Sequence, residues 1–221
     1  MKYESETMIA RRARIIETAL DMMARNDGDF TMRALAKESG VATGTLYNLF
    51  GGQEGLVAEA VSQVFEERVN GMTVDPKNDE IAEVAEARSA AAFKEMMRVP
   101  AYAKTMCQIY FSGEAGNPVR QQLHDIPTNF WVDQLRRLQT EGALEEWVRI
   151  DALADEMTSA AYAVVSRWAA EDLDDEGLRR GNLFVVLTLL AGAVKGRHRE
   201  SVARKLAQLN DKAHPATSSA A

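Results

Sequence analysis

Thr43, Thr45, Tyr47 and Asn48 form a short polar series interrupted by Gly44 and Leu46. On a helix, Leu46 would turn inward and the four polar residues would share the outer face with Gly44. Their hydroxyl, phenol and amide groups are of medium length and can hydrogen-bond phosphate oxygens and base edges. Arg33, one element earlier, adds a guanidinium for a guanine edge or a phosphate. Gln53, one element later, adds an amide donor. This is the chemistry of recognition rather than of bond making. The chain contains no HExxH, CxxC, GxSxG or GxxxxGK[ST] motif. His124, His198 and His214 are far apart in sequence, two of them in or near the tail. The pairs Glu145-Glu146 and Asp174-Asp175 fall at predicted helix ends, where solvation or capping accounts for them. The expectation is a non-enzyme with no catalytic residue, metal or cofactor.

These side chains need elements to hold them. Thr31 is a suitable N-cap, and Phe30 before it can staple onto Leu35. Leu35 and Ala36 face inward, and Ala36 is small enough for a second helix to cross close above it. Ser39-Gly40-Val41 makes the turn, with Gly40 supplying the positive φ of a sharp helix exit. Val41 and Leu46 lock the two helices together. A helix, a tight turn and a second helix at this spacing can present one helix to the DNA major groove.

The run VATGTLYNLFGGQEGL, residues 41–56, resembles the DNA-binding signature of TetR-family transcriptional regulators, whose usual form is roughly GV-S/A-x-GTLY-x-HF-x-SKE-x-L. Gly40, Val41, Gly44, Thr45, Leu46, Tyr47, Phe50, Glu54 and Leu56 match it. The preceding helix and the placing of Thr31 and Arg33 agree as well, so the motif-level resemblance covers about the first 65 residues. It implies a DNA-contacting set of Arg33, Thr43, Gly44, Thr45, Tyr47, Asn48 and Gln53. Three positions depart from the pattern. Gln53 stands where the family has a phosphate-contacting Lys, which removes one charge per subunit. Gly52 replaces the N-capping Ser, and Leu49 replaces an aromatic or His.

Charge is distributed in keeping with this reading. The whole chain carries −7, but residues 1–50 hold seven Lys/Arg and seven Asp/Glu, so the deficit lies entirely beyond residue 50. DNA binding depends on the local face, and an acidic remainder stays off the duplex. Arg11, Arg12 and Arg14 cluster on the first helix, with Lys37 near Arg33; Arg25 and Lys37 read as solvated. No segment has the roughly 18 apolar residues of a membrane span. The residues after Met1 are charged rather than apolar, and the single Cys107 cannot form an internal disulfide, so a cytoplasmic protein is expected.

Beyond the motif the chain reads as helix throughout, giving an all-α protein. Its expected division is a three-helix DNA-binding domain (1–52), a larger helical ligand-binding and dimerisation domain (53–210) and a disordered tail (211–221). The first helix is expected over 7–25, with Ile9, Ala13, Ile16, Leu20 and Met23 on its apolar stripe. A connecting helix starts near Gln53 and passes Phe65 toward Val69, and a loop occupies 75–79. Further helices are expected over 80–98, with Ile81, Val84, Ala91, Ala92 and Met96 inward, then 101–112, 119–141 with a break or kink at Pro127, 151–171 and 176–199.

In the resembled family the second domain encloses a small molecule among its middle helices. Met96, Met106, Tyr110, His124, Phe130, Trp131 and Trp168 are the principal candidates here, with Met97, Tyr102, Cys107 and Phe111 beside them. Met and aromatic residues imply a largely apolar effector. Residues 183–194, LFVVLTLLAGAV, are apolar almost all round and require burial on more than one side, either as a central helix of one chain or at an interface. The resemblance implies a homodimer seam including Val164, Trp168, Leu183, Leu187, Leu190 and Val194. The expected whole is a homodimeric regulator, a repressor on palindromic double-stranded operator DNA, with no membrane partner. The alternative is a helical ligand-sensing or partner-binding dimer with little DNA affinity of its own.

Overall fold

A computed structural model describes residues 2–25, 30–53, 55–57, 59–60, 80–98, 100–112 and 118–213. Its helices are α1 (Lys2–Arg25), α2 (Met32–Ser39), α3 (Thr43–Phe50), α4 (Ile81–Arg98), α5 (Pro100–Ser112), α6 (Pro118–Thr140), α7 (Ile150–Ala169), α8 (Asp175–Ala193) and α9 (Gly196–Ala213). Gln53, residues 55–57 and residues 59–60 are also helical. No β-strand occurs among the described residues, so the chain is all-α there. The expected loop at 75–79, together with Phe65, Val69 and His214, lies outside them. So does the Tyr102 side chain. No described helix is long and apolar enough to cross a membrane.

The chain divides into two compact units, Met1–Arg68 with Met96–Leu123, and Val69–Glu95 with His124–Ala221. In the first, α1 packs on α2 and α5, and α2 packs on α3. Its core joins Ile15, Ile16, Ala19, Met22 and Met23 of α1 to Phe30, Leu35, Ala36, Leu46, Phe50, Leu56 and Ala60. The expected α1 stripe is only partly right. Ile16 and Met23 are buried and Leu20 is half-buried, but Ile9 is 66% exposed and Ala13 is exposed. The helix begins earlier than expected, at Lys2, and its buried residues among the described side chains run from Ile15 to Met23. Pro100 opens α5, the helix position that least needs an N–H donor.

The second unit has its own core. Ile81, Val84 and Ala85 of α4 meet Trp131, Leu135 and Leu138 of α6, Met157 of α7, Leu183, Leu187 and Leu190 of α8, and Val202 of α9. Of the other expected inward residues of α4, Ala91, Ala92 and Met96 are half-buried. Pro127 does not break α6, which runs through it. Proline's fixed φ suits a helix, and Trp131 and Leu135, which follow it, anchor the helix in this core despite the missing donor.

The single helix expected over 176–199 is two helices. Val194 is extended (φ −100°, ψ 157°), and Gly196 restarts the chain at φ 56°. An isolated bridge pairs Leu144 with Val194: Glu145 N–H donates to the Ala193 carbonyl (2.9 Å), and Lys195 N–H to that of Ala143 (2.7 Å). These bonds pull the backbone out of helical geometry. The following α9 continues to Ala213, so the expected tail is helical over 211–213. His198, expected near a tail, is instead 1% exposed. Its Nδ1 accepts from Ile81 N–H at 3.1 Å, which leaves Nε2 to donate to Glu141 Oε2 at 3.1 Å.

Candidate nucleic-acid interface

The turn between α2 and α3 is closed at both ends of α2. Thr31 is extended, and its Oγ1 accepts from Ala34 N–H at 3.1 Å, satisfying one of the donors that every helix start leaves open. At the other end Gly40 sits at φ 66°, ψ 34°. Its N–H reaches the Lys37 carbonyl at 3.4 Å, and Val41 N–H donates to Ala36 O at 2.9 Å. This is a Schellman exit. A Cβ at Gly40 would meet nothing within 4 Å, so it is the left-handed backbone, not crowding, that favours glycine there.

The exit aims α3 so that Leu46 and Phe50 enter the core, leaving the opposite face open. Gly44, Tyr47 and Asn48 are exposed, Tyr47 at 52%, with half-buried Thr43 and Thr45 beside them. Arg33 is exposed in the first turn of α2. Gln53 is exposed too, but its Nε2 donates to the Phe30 carbonyl at 3.0 Å. All seven expected DNA-contacting residues thus belong to the first unit, around one helix-turn-helix.

Sequence reasoning missed the role of Arg12. Its Nε and Nη2 donate to both carboxylate oxygens of Glu59, and its Nη1 donates to the Leu49 carbonyl at 2.9 Å. The guanidinium carbon lies 4.8 Å from the Phe50 ring centroid. The hydrogen bonds to Glu59 raise the Arg12 pKa, against a smaller opposing effect of burial. A partner 47 residues away leaves no local signal in sequence. Arg25, expected to be solvated, forms an exposed ion pair with Glu38.

The expected effector-lining residues are divided between the units. In the first, Met106, Cys107 and Tyr110 are buried, and Met96 and Met97 are half-buried. Phe111 meets the Tyr110 ring edge-on at 5.1 Å but is 55% exposed, so it does not line an interior. In the second, Phe130 and Trp131 stack edge-to-face at 5.1 Å, with Trp131 in the core. His124 Nε2 bonds Asp155 Oδ1 at 2.8 Å. Trp168 is buried and donates from Nε1 to Asp175 Oδ1 at 2.9 Å, tying the end of α7 to the start of α8.

Beside Phe130 lies Arg88, 4.5 Å from the ring centroid and 8% exposed, which sequence reasoning passed over. Burial lowers its pKa to about 10. The signal was present, since Arg88 continues the helical stripe of Ile81 and Val84. Among the described residues no cluster of His, Cys, Asp and Glu could hold a metal ion.

Of the expected dimer residues, Leu187, Leu190 and Val194 are 0% exposed within a single chain and Leu183 is 5%. They are core residues of one subunit and have almost no side-chain surface left to give a partner. Val164 is half-buried against Gly181, where an added Cβ would stand 3.0 Å from Val164 Cγ1. The accessible side of α8 carries Phe184, Thr188 and Gly192 instead.

Residues 15–60 match the model of the family described as bacterial regulatory proteins, tetR family. No curated protein matches the chain. Among solved structures it is similar to Thermus thermophilus FadR, a TetR-family transcriptional repressor in complex with lauroyl-CoA. The identity is 21%, covering 82% of this chain and 94% of that one, with a TM-score of 0.64. A TetR transcriptional regulator from Rhodococcus sp. RHA1 is 17% identical over 83% of this chain and 97% of its own, at a TM-score of 0.65. SmeT, the repressor of the Stenotrophomonas maltophilia multidrug efflux pump SmeDEF, is 18% identical over 85% and 92%, at 0.60. At these identities the likeness establishes the fold, while the match over 15–60 establishes the kind of N-terminal domain. By that match, residues 15–60 are the N-terminal domain of bacterial regulatory proteins of the tetR family.

Proposed function

We propose that this regulator binds a palindromic operator as a homodimer, represses transcription, and is released by a small, largely apolar effector. The observation that carries the reading is the open face of α3. Gly44, Tyr47 and Asn48 point away from the core, and a backbone with no side chain at Gly44 admits close approach of a phosphate. Arg33, Thr43 and Asn48 are the base readers in this account, with Thr45 and Tyr47 mainly on phosphates. Residues 1–52 form the DNA-reading domain, and 53–210 the effector and dimerisation domain.

Two recognition helices on a two-fold axis, about 34–36 Å apart, would enter successive major grooves. A ligand that alters their separation by a few ångströms would release the operator. The FadR complex with lauroyl-CoA supports an apolar acyl chain as one occupant of this fold, by analogy alone. The test is binding to the DNA immediately upstream of the protein's own coding region, titrated over salt concentration. Sequence-preferring, salt-dependent binding supports the reading. Its absence favours the second reading, a ligand-sensing dimer with little DNA affinity, for which the occupied amide of Gln53 speaks.

A further inference from the structure

We propose that Arg12 is a positioning residue for DNA binding: its guanidinium clamps the C-terminal end of α3 to Glu59 and so fixes the orientation of the helix that reads DNA. The proposal rests on the reading of α3 as the DNA-reading helix.

Three elements meet at this one side chain. Arg12 belongs to α1, Leu49 to the last turn of α3, and Glu59 to the helical residues that follow. The last carbonyls of a helix lack intrahelical donors and carry the negative end of its dipole. Gly51 N–H takes the Tyr47 carbonyl at 2.8 Å, and Arg12 takes that of Leu49 at 2.9 Å. The guanidinium fork holds both oxygens of Glu59 at the same time and lies near the Phe50 ring. Apolar contacts of α3 tolerate small slips, because they have no direction. A fork with its donors committed to two elements does not. Lysine, with a single ammonium point, cannot reproduce this geometry. Arg12 is half-buried and bonds within the protein through all three guanidinium nitrogens, unlike exposed Arg11 and Arg14, so the proposal gives it an indirect effect on DNA.

The experiment uses the full-length protein with Arg12→Lys and Glu59→Gln, which avoid the folding risk of Arg12→Ala. Hydrogen exchange at the amides of Phe50 and Gly51 is measured without DNA. Binding is measured to a duplex enriched by the wild-type protein from a random-sequence pool, and to its scrambled counterpart. Loss of the clamp should speed exchange at these amides on the order of tenfold, the size of a lost charge-assisted hydrogen bond. The preference for enriched over scrambled duplex should fall about tenfold, with an unchanged salt slope because no phosphate contact is removed. Unchanged exchange overturns the clamp. Faster exchange with an unchanged preference overturns the positioning role, as does a salt slope reduced by about one unit per subunit, which would mark Arg12 as a phosphate contact. If the wild-type protein enriches no sequence, the DNA-binding reading itself has failed and the positioning role with it, while the exchange measurement still decides whether the clamp exists.

Discussion

Gln53 reaches back across the helix-turn-helix and donates from Nε2 to the carbonyl oxygen of Phe30, 3.0 Å away. The contact joins the residue before the Thr31 cap to the helix that follows α3. Removing it with Gln53→Ala should lower stability by about 1 kcal/mol, the net worth of a neutral hydrogen bond, which a thermal melt can read. Gln53→Lys asks a different question. An added ammonium facing the duplex should tighten binding to any sequence and steepen the salt dependence by about one unit per subunit. An unchanged slope would mean that this position does not approach the DNA backbone.

Arg33 is exposed in the first turn of α2. Arg33→Ala should cost about 1–3 kcal/mol of binding and relax base preference at one position of each half-site. Because the side chain is solvent-exposed, the melting temperature should hardly move. Retention of both affinity and preference would remove α2 from the groove edge.

Leu187 and Phe184 separate folding from assembly. Leu187 is fully buried in the second unit's core, and an unpaired carboxylate there costs several kcal/mol, so Leu187→Asp should yield unfolded or insoluble protein at any concentration. Phe184 is 43% exposed on the same helix. Phe184→Asp should fold normally and sediment as a monomer under conditions where the wild-type protein is a dimer. A wild-type monomer at micromolar concentration, or a dimeric Phe184→Asp, would place the interface elsewhere.

The acid limb of stability should depend on Glu141. Burial works to raise this carboxyl, but the hydrogen bond from His198 and the charges of Arg137 and Arg197 outweigh it and hold the pKa below its ordinary 4.5. A carboxyl lowered in the folded state stabilises fully above its unfolded pKa, and the contribution disappears as pH falls through the folded value. The melting temperature should therefore drop as pH falls below about 4.5. Glu141→Gln should shallow that drop. An identical acid profile in the variant would show that other carboxylates account for it.

The DNA-reading half was legible because its determinants are local. Thr31 capping Ala34, Gly40 in the left-handed region, and Leu46 buried while Tyr47 is exposed all follow from spacings within a few residues. The all-helical character was legible for the same reason, since apolar periodicity is a property of each segment alone. What needed the tertiary structure was every pairing across long stretches of chain. Arg12 reads as one more surface base until Glu59 and the Leu49 carbonyl are brought to it. The break at Val194 depends on its bridge to Leu144, contributed by another segment, and no residue in LFVVLTLLAGAV announces it. The apolar face of α8 shows the same limit. Hydrophobicity requires that Leu187 and Leu190 be buried, but only the packing of α4, α6, α7 and α9 around them determined that their own chain does the burying.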